Sequence, residues 1–181
     1  MIPSPWVYYG LNLLSTFSGE VQLARMVTPI SPLANYAQKR YSIGMSIVKT
    51  QITLKNADDV GMAHRGLMTD AQVRALAVEA VADTGAWTLV IDEDTCQKLG
   101  LRLEGPEPGV LADGTTAIYQ ITNGVEVHWQ NRKTVCPALV VPGADEILFG
   151  ALPMEGMDLI VHPRKEKVIG AHGDTALYRL K

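Results

Sequence analysis

Glu79-Ala80-Val81-Ala82-Asp83-Thr84-Gly85-Ala86-Trp87-Thr88-Leu89-Val90-Ile91 is the stretch on which the reading of this chain turns. Small apolar residues lead up to Asp83, and a second apolar run, Leu89-Val90-Ile91, follows the turn. A carboxylate is thereby set at a glycine-containing bend between two strand-like segments whose composition suits burial on both faces. Gly85 gives the bend its backbone freedom, and Thr84 offers a hydroxyl to nearby backbone groups. An Asp between buried strands is costly unless something uses or satisfies it. Two uses fit the tripeptide: a turn Asp bonded to local amides, or a carboxylate kept for chemistry.

Outward from this stretch, the chain alternates short apolar runs with turn residues. Residues 46–54 alternate as a strand with one wetter face, and residues 72–82 form the strand that enters Asp83. Residues 56–70 between them read as a long polar loop punctuated by glycine. Past Ile91, Asp92 is placed to cap a short helix over residues 93–99, with Gly100 at its C-terminal stop and Leu101 packing back. The acidic run Asp92-Glu93-Asp94 then lies at the positive end of a helix dipole, which explains it without a metal. Residues 104–109 read as a Pro/Gly-rich loop. A hairpin follows, with residues 110–112 and 115–121 as its arms and Asp113-Gly114 as its tight turn. Further strands are expected at 125–129 and 134–141, then a last hairpin around Pro163. Another apolar run ending in glycine, Ile147-Leu148-Phe149-Gly150, leads into a short helical pattern, Leu152-Pro153-Met154-Glu155-Gly156-Met157. Many short strands with only two short helices predict an all-β fold.

Asp83-Thr84-Gly85-Ala86, the hairpin around Asp113-Gly114, and Ile147-Leu148-Phe149-Gly150 with its helix together resemble the retropepsin-like aspartic proteases, single-domain relatives of pepsin. The resemblance covers roughly residues 47–170. It implies an all-β closed barrel or sandwich with a flap hairpin, acting as a homodimer on a peptide or protein substrate without a cofactor. It makes Asp83 the catalytic carboxylate, with Thr84, Gly85 and Ala86 supporting the active-site loop. Trp87, Asp113, Gly114 and Ile147 would belong to the flap and substrate cleft. Thr84 would lock two active-site loops together through hydroxyl-to-backbone contacts. The family's reaction needs two carboxylates flanking one water and sharing one proton. This chain has a single Asp-Thr-Gly, since Asp113-Gly114-Thr115 and Gly173-Asp174-Thr175 have the wrong order. Two chains must therefore meet across a two-fold axis. Two positions depart from the viral pattern: Trp87 stands where those enzymes commonly carry Asp, and Ala151 where they carry Arg. A dimeric binding or scaffold module of the same fold, without turnover, is the alternative function.

Composition bounds the partners. The chain has 181 residues, 47% of them hydrophobic, enough for one domain with a core and an extension. Its formal net charge of −3 leaves no footprint for nucleic acid. Cys96 and Cys136 are too few for a disulfide framework and lack metal-ligand spacing, so a cytoplasmic protein with free thiols is expected. The four histidines are scattered, and no metal site is expected. The apolar run over residues 6–17 is interrupted by Gly10 and Asn12, too short to span a bilayer, and preceded by no Lys or Arg. Neither a membrane span nor a secretory signal is expected. Residues 1–44 are expected to be an extension, disordered or loosely helical, or the product of translation begun upstream of the true start. A removable prosegment fits less well. The catalytic domain is expected over 45–170, with a C-terminal tail at 171–181.

Overall fold

The structure, a computed structural model, describes residues 47–110, 114 and 116–177. The expected extension 1–44 and the hairpin residue Asp113 lie outside these.

Strand β1 (Lys49–Asn56) pairs antiparallel with β2 (Ala75–Ala82) along its length, from Lys49 opposite Val81 to Lys55 opposite Ala75. The connection between them is not the loop the sequence suggested. It holds helix α1 (Ala57–His64) and a 3-10 turn (Asp70–Gln72). Asn56 caps α1, its Oδ1 accepting from the N–H groups of Asp58 at 2.9 Å and Asp59 at 3.2 Å. After β2 come β3 (Leu89–Ile91) and helix α2 (Glu93–Leu99). The α2 ends are those read from the sequence: Asp92 Oδ1 accepts from Thr95 N–H, Gly100 is left-handed at φ 56°, and Leu101 N–H bonds back to the Cys96 carbonyl.

The segment read as a Pro/Gly loop is strand β4 (Leu103–Val110), paired antiparallel with β5 (Thr116–Thr122) from Gly105–Ile121 to Val110–Thr116. Prolines are tolerated because β4 lies at the edge of its sheet. Pro106 and Pro108 also fall at every second position, so both nitrogens can face the unpaired side. Then follow β6 (Val125–Trp129), β7 (Arg132–Cys136), β8 (Ala138–Val140), β9 (Ile147–Phe149), helix α3 (Ala151–Gly156), β10 (Leu159–His162) and β11 (Lys167–Gly170). The expected strand at 134–141 is thus two strands, β7 and β8, divided at Pro137, which has no N–H to give a ladder. Three α-helices stand among the described residues, against the two expected.

Nine strands form one sheet in the order β4-β5-β8-β3-β9-β2-β1-β6-β7, and β10 and β11 make a separate hairpin. The mostly-β class is as expected, but the barrel is not closed. The outermost strands β4 and β7 do not pair with each other. Leu54, Leu89, Ile91, Leu99, Val125 and Phe149 are fully enclosed in the core. The described part of the tail is tied down: buried Arg132 donates to the Met157 and Asp158 carbonyls at 2.7 and 2.6 Å and to that of Gly173. Leu177 N–H reaches the Asp158 carboxylate at 3.2 Å.

Candidate active site

Asp83 is placed by a parallel strand pair. In β2 and β9, Ala80 lies opposite Ile147, Val81 opposite Leu148 and Ala82 opposite Phe149. The pairing carries on past β2, with Asp83 N–H donating to the Phe149 carbonyl at 3.0 Å. Strand β3 closes the other side of β9, with Val90 opposite Leu148. Alternation then sorts the side chains: Ala80, Ile147 and Phe149 turn into the core, while Asp83 and Leu148 line a cavity. Ile147, expected in the substrate cleft, is a core residue, 8% exposed, and it is its neighbour Leu148 that lines the cavity.

Asp83 is 2% exposed, a buried carboxyl group among the residues that line that cavity. Its Oδ1 accepts from Gly85 N–H at 2.8 Å, and its carbonyl accepts from Ala86 N–H at 3.1 Å, closing a tight turn. The local-amide use of the Asp is thus present, on a carboxyl group that also lines the cavity. Thr84 and Gly85 are exposed, and Trp87 is 61% exposed.

The bend is held from behind by the second apolar-Gly motif. Ala151 N–H donates to the Ala86 carbonyl at 2.8 Å, and Leu152 N–H to the Trp87 carbonyl at 2.9 Å. The first N–H groups of α3, which no helix can satisfy internally, are thereby used to fix the loop carrying Asp83. Gly150 makes the approach possible, since a Cβ there would overlap the Thr88 carbonyl oxygen and come within 2.8 Å of that of Ala86. Thr88, fully buried, donates its hydroxyl to the Pro137 carbonyl at 2.7 Å and pins the far side of the loop to the β7–β8 junction. Sequence reasoning did not single out Thr88 or explain Gly150. The glycine closing an apolar run ahead of a helix was the available signal.

The cavity, about 540 Å³, lies between this loop and the β4–β5 hairpin. Val90, Ile121, Leu139, Val141 and Leu148 supply an apolar wall, and Trp87 lies at the same cavity. Glu107 and Tyr119, opposite each other in the β4–β5 ladder, come from the hairpin. Gly109 leaves room for the Tyr119 ring, which a Cβ would meet at 2.8 Å. Gly114, with φ of 84°, has the backbone a tight turn needs, but it does not line the cavity. Cys96 and Cys136 are buried, and burial pushes both thiols up, away from the ionised form a nucleophile needs. Among the described residues no three His, Cys, Asp or Glu converge as a metal site would require, and no helix is long and apolar enough to cross a membrane. The chain matches no family model, and no curated protein aligns with it significantly.

Proposed function

We propose that the chain is one half of a retropepsin-like aspartic endopeptidase, completed by a second copy. The observation that carries this reading is the buried Asp83 carboxyl lining a largely apolar cavity that β4 and β5 also line, on a turn locked by Gly150 and α3. A structural turn Asp needs neither the cavity nor the hairpin.

In this reading two Asp83 carboxyl groups face one water across a two-fold axis. Like charges that close cannot both ionise cheaply, so the pair holds one proton, as is general for aspartic proteases. The ionised member takes a proton from water as its oxygen attacks the scissile carbonyl carbon, and the protonated member gives its proton to the carbonyl oxygen. The tetrahedral diol then collapses as the carboxyl that took the water proton passes it to the amide nitrogen and the other carboxylate takes one from a diol hydroxyl, releasing an acid and an amine and restoring one proton to the pair. Exposure of Thr84, Gly85 and Trp87 beside a buried Asp83 supports the dimer, because a partner's loop would cover them. Incubating the protein with a diverse peptide pool between acidic and neutral pH should yield new termini, and Asp83→Asn should yield none while keeping the fold. No cleavage by a folded dimer would favour a binding module, and equal cleavage by Asp83→Asn would remove Asp83 from the chemistry.

A further inference from the structure

The cavity wall carries one charged group that peptide hydrolysis does not call for. Glu107 lies on β4 opposite Tyr119, in register with the Gly105–Ile121 and Gly109–Ala117 pairs. Residues opposite one another, and those two apart, share a sheet face. Glu107 is thus on the same face as Tyr119 and Ile121, and all three line the cavity. Among the described residues no Lys, Arg or His lines it. None of the ion pairs among the described residues involves Glu107. Arg102, close in sequence, is paired with Glu104 instead, at 2.7 Å.

We infer that Glu107 is a specificity-determining residue that selects a substrate peptide bearing a lysine or arginine side chain near the scissile bond. This rests on the endopeptidase reading for the reaction but not for the binding. The cavity's two kinds of surface suit such a side chain. Its methylene stem lies along the apolar wall of Val90, Ile121 and Leu139 while its charged head reaches the Glu107 carboxylate. A purely apolar side chain would fill the wall and leave that carboxylate without a cation. An acidic one would meet Glu107 and Asp83 together and be rejected. Glu107 is exposed, so the attraction is solvent-screened and its effect is a preference rather than an absolute requirement.

The test uses the full chain and a synthetic pool in which every residue type occupies every position. Termini released by the wild type should show Lys and Arg enriched at one fixed distance from the cleaved bond. Glu107→Gln should lower the ratio of kcat/KM for basic over neutral peptides about fivefold, and Glu107→Lys should turn the preference toward Asp and Glu. The wild-type ratio should also shrink as salt is raised. A second arm captures peptides from the same pool on Asp83→Asn protein, which needs no turnover. Captured peptides should carry the same basic enrichment, and it should disappear in the Asp83→Asn, Glu107→Gln double variant. Capture that depends on Glu107 without any cleavage by the wild type would sink the endopeptidase reading and leave the selection of basic peptides by Glu107 standing as binding alone. Cleavage or capture with no basic preference, or with one indifferent to residue 107, would overturn the inference while leaving peptidase activity intact. Absence of both cleavage and capture would overturn it as well.

Discussion

Gly150 shows how one atom's worth of space decides whether the site exists. Its missing Cβ lets α3 come close enough for Ala151 and Leu152 to hold the carbonyls of Ala86 and Trp87. The obstacles to a side chain are backbone atoms, which cannot rotate away. Gly150→Ala should therefore cost about 1–3 kcal/mol, the range for forcing a methyl group into a packed site. At roughly 2–4 °C per kcal/mol, its thermal midpoint should fall by several degrees. A midpoint equal to the wild type's would mean that α3 does not brace the loop as described. The position of Asp83 was legible from the apolar runs around it, and Gly150 was legible as a motif. The reason for Gly150 was not, because it depends on a carbonyl from residue 88 that only the folded chain brings near. Ile147 was misplaced for a related reason. An apolar triplet does not reveal which of its members faces the core until its partner strand, β2, sets the register.

At the scale of elements, α2 was fully legible because both its caps are local, Asp92 at one end and Gly100 at the other. Helix α1 was missed although Asn56 is as good a cap as Asp92. Gly61 within it and the adjacent Asp58 and Asp59 imitate a loop, and tertiary contacts hold it. The main contact is Asp59, 1% exposed, gripped by Arg74 from the approach to β2: Nε to Oδ2 and Nη2 to Oδ1, both at 2.7 Å. Hydrogen bonds from the Arg74 side chain hold the Asp59 carboxyl below its ordinary value, against the opposing effect of burial. A carboxyl depressed in the folded state stabilises the protein fully above its unfolded value, about 3.9, and loses that contribution as pH falls through the folded value. Arg74→Met leaves the Asp59 carboxylate without its cation and, since the Arg74 side chain is half exposed and the pair partly solvent-screened, should lower stability by about 1–2 kcal/mol at neutral pH. The gap should narrow as pH falls, first through the Asp59 value of the folded variant, which burial without the cation pushes up, and then through the depressed value of the folded wild type; the unfolded chain is common to both and cancels. Thermal midpoints of both proteins from pH 7 to pH 2 test this. A gap independent of pH would show that Arg74 acts by packing alone. Strand β4 was misread because Pro and Gly are loop formers by propensity, and edge position is a property of the whole sheet.

For the whole molecule, the central proposal is that the active site belongs to two chains. The sequence bears on this only through a count, one Asp-Thr-Gly where the chemistry needs two carboxylates. The exposed Trp87 beside the buried Asp83 adds a surface that a partner would cover. The most direct measurement mixes wild-type protein with an equal amount of Asp83→Asn protein and allows the chains to exchange. Heterodimers would hold one Asp and one Asn, and half a dyad cannot serve as both acid and base. With random pairing about one dimer in four keeps both carboxylates, so activity per wild-type chain should fall about twofold. Larger excesses of Asp83→Asn chains should push it toward zero. Activity per wild-type chain that stays constant through complete exchange would contradict the shared site.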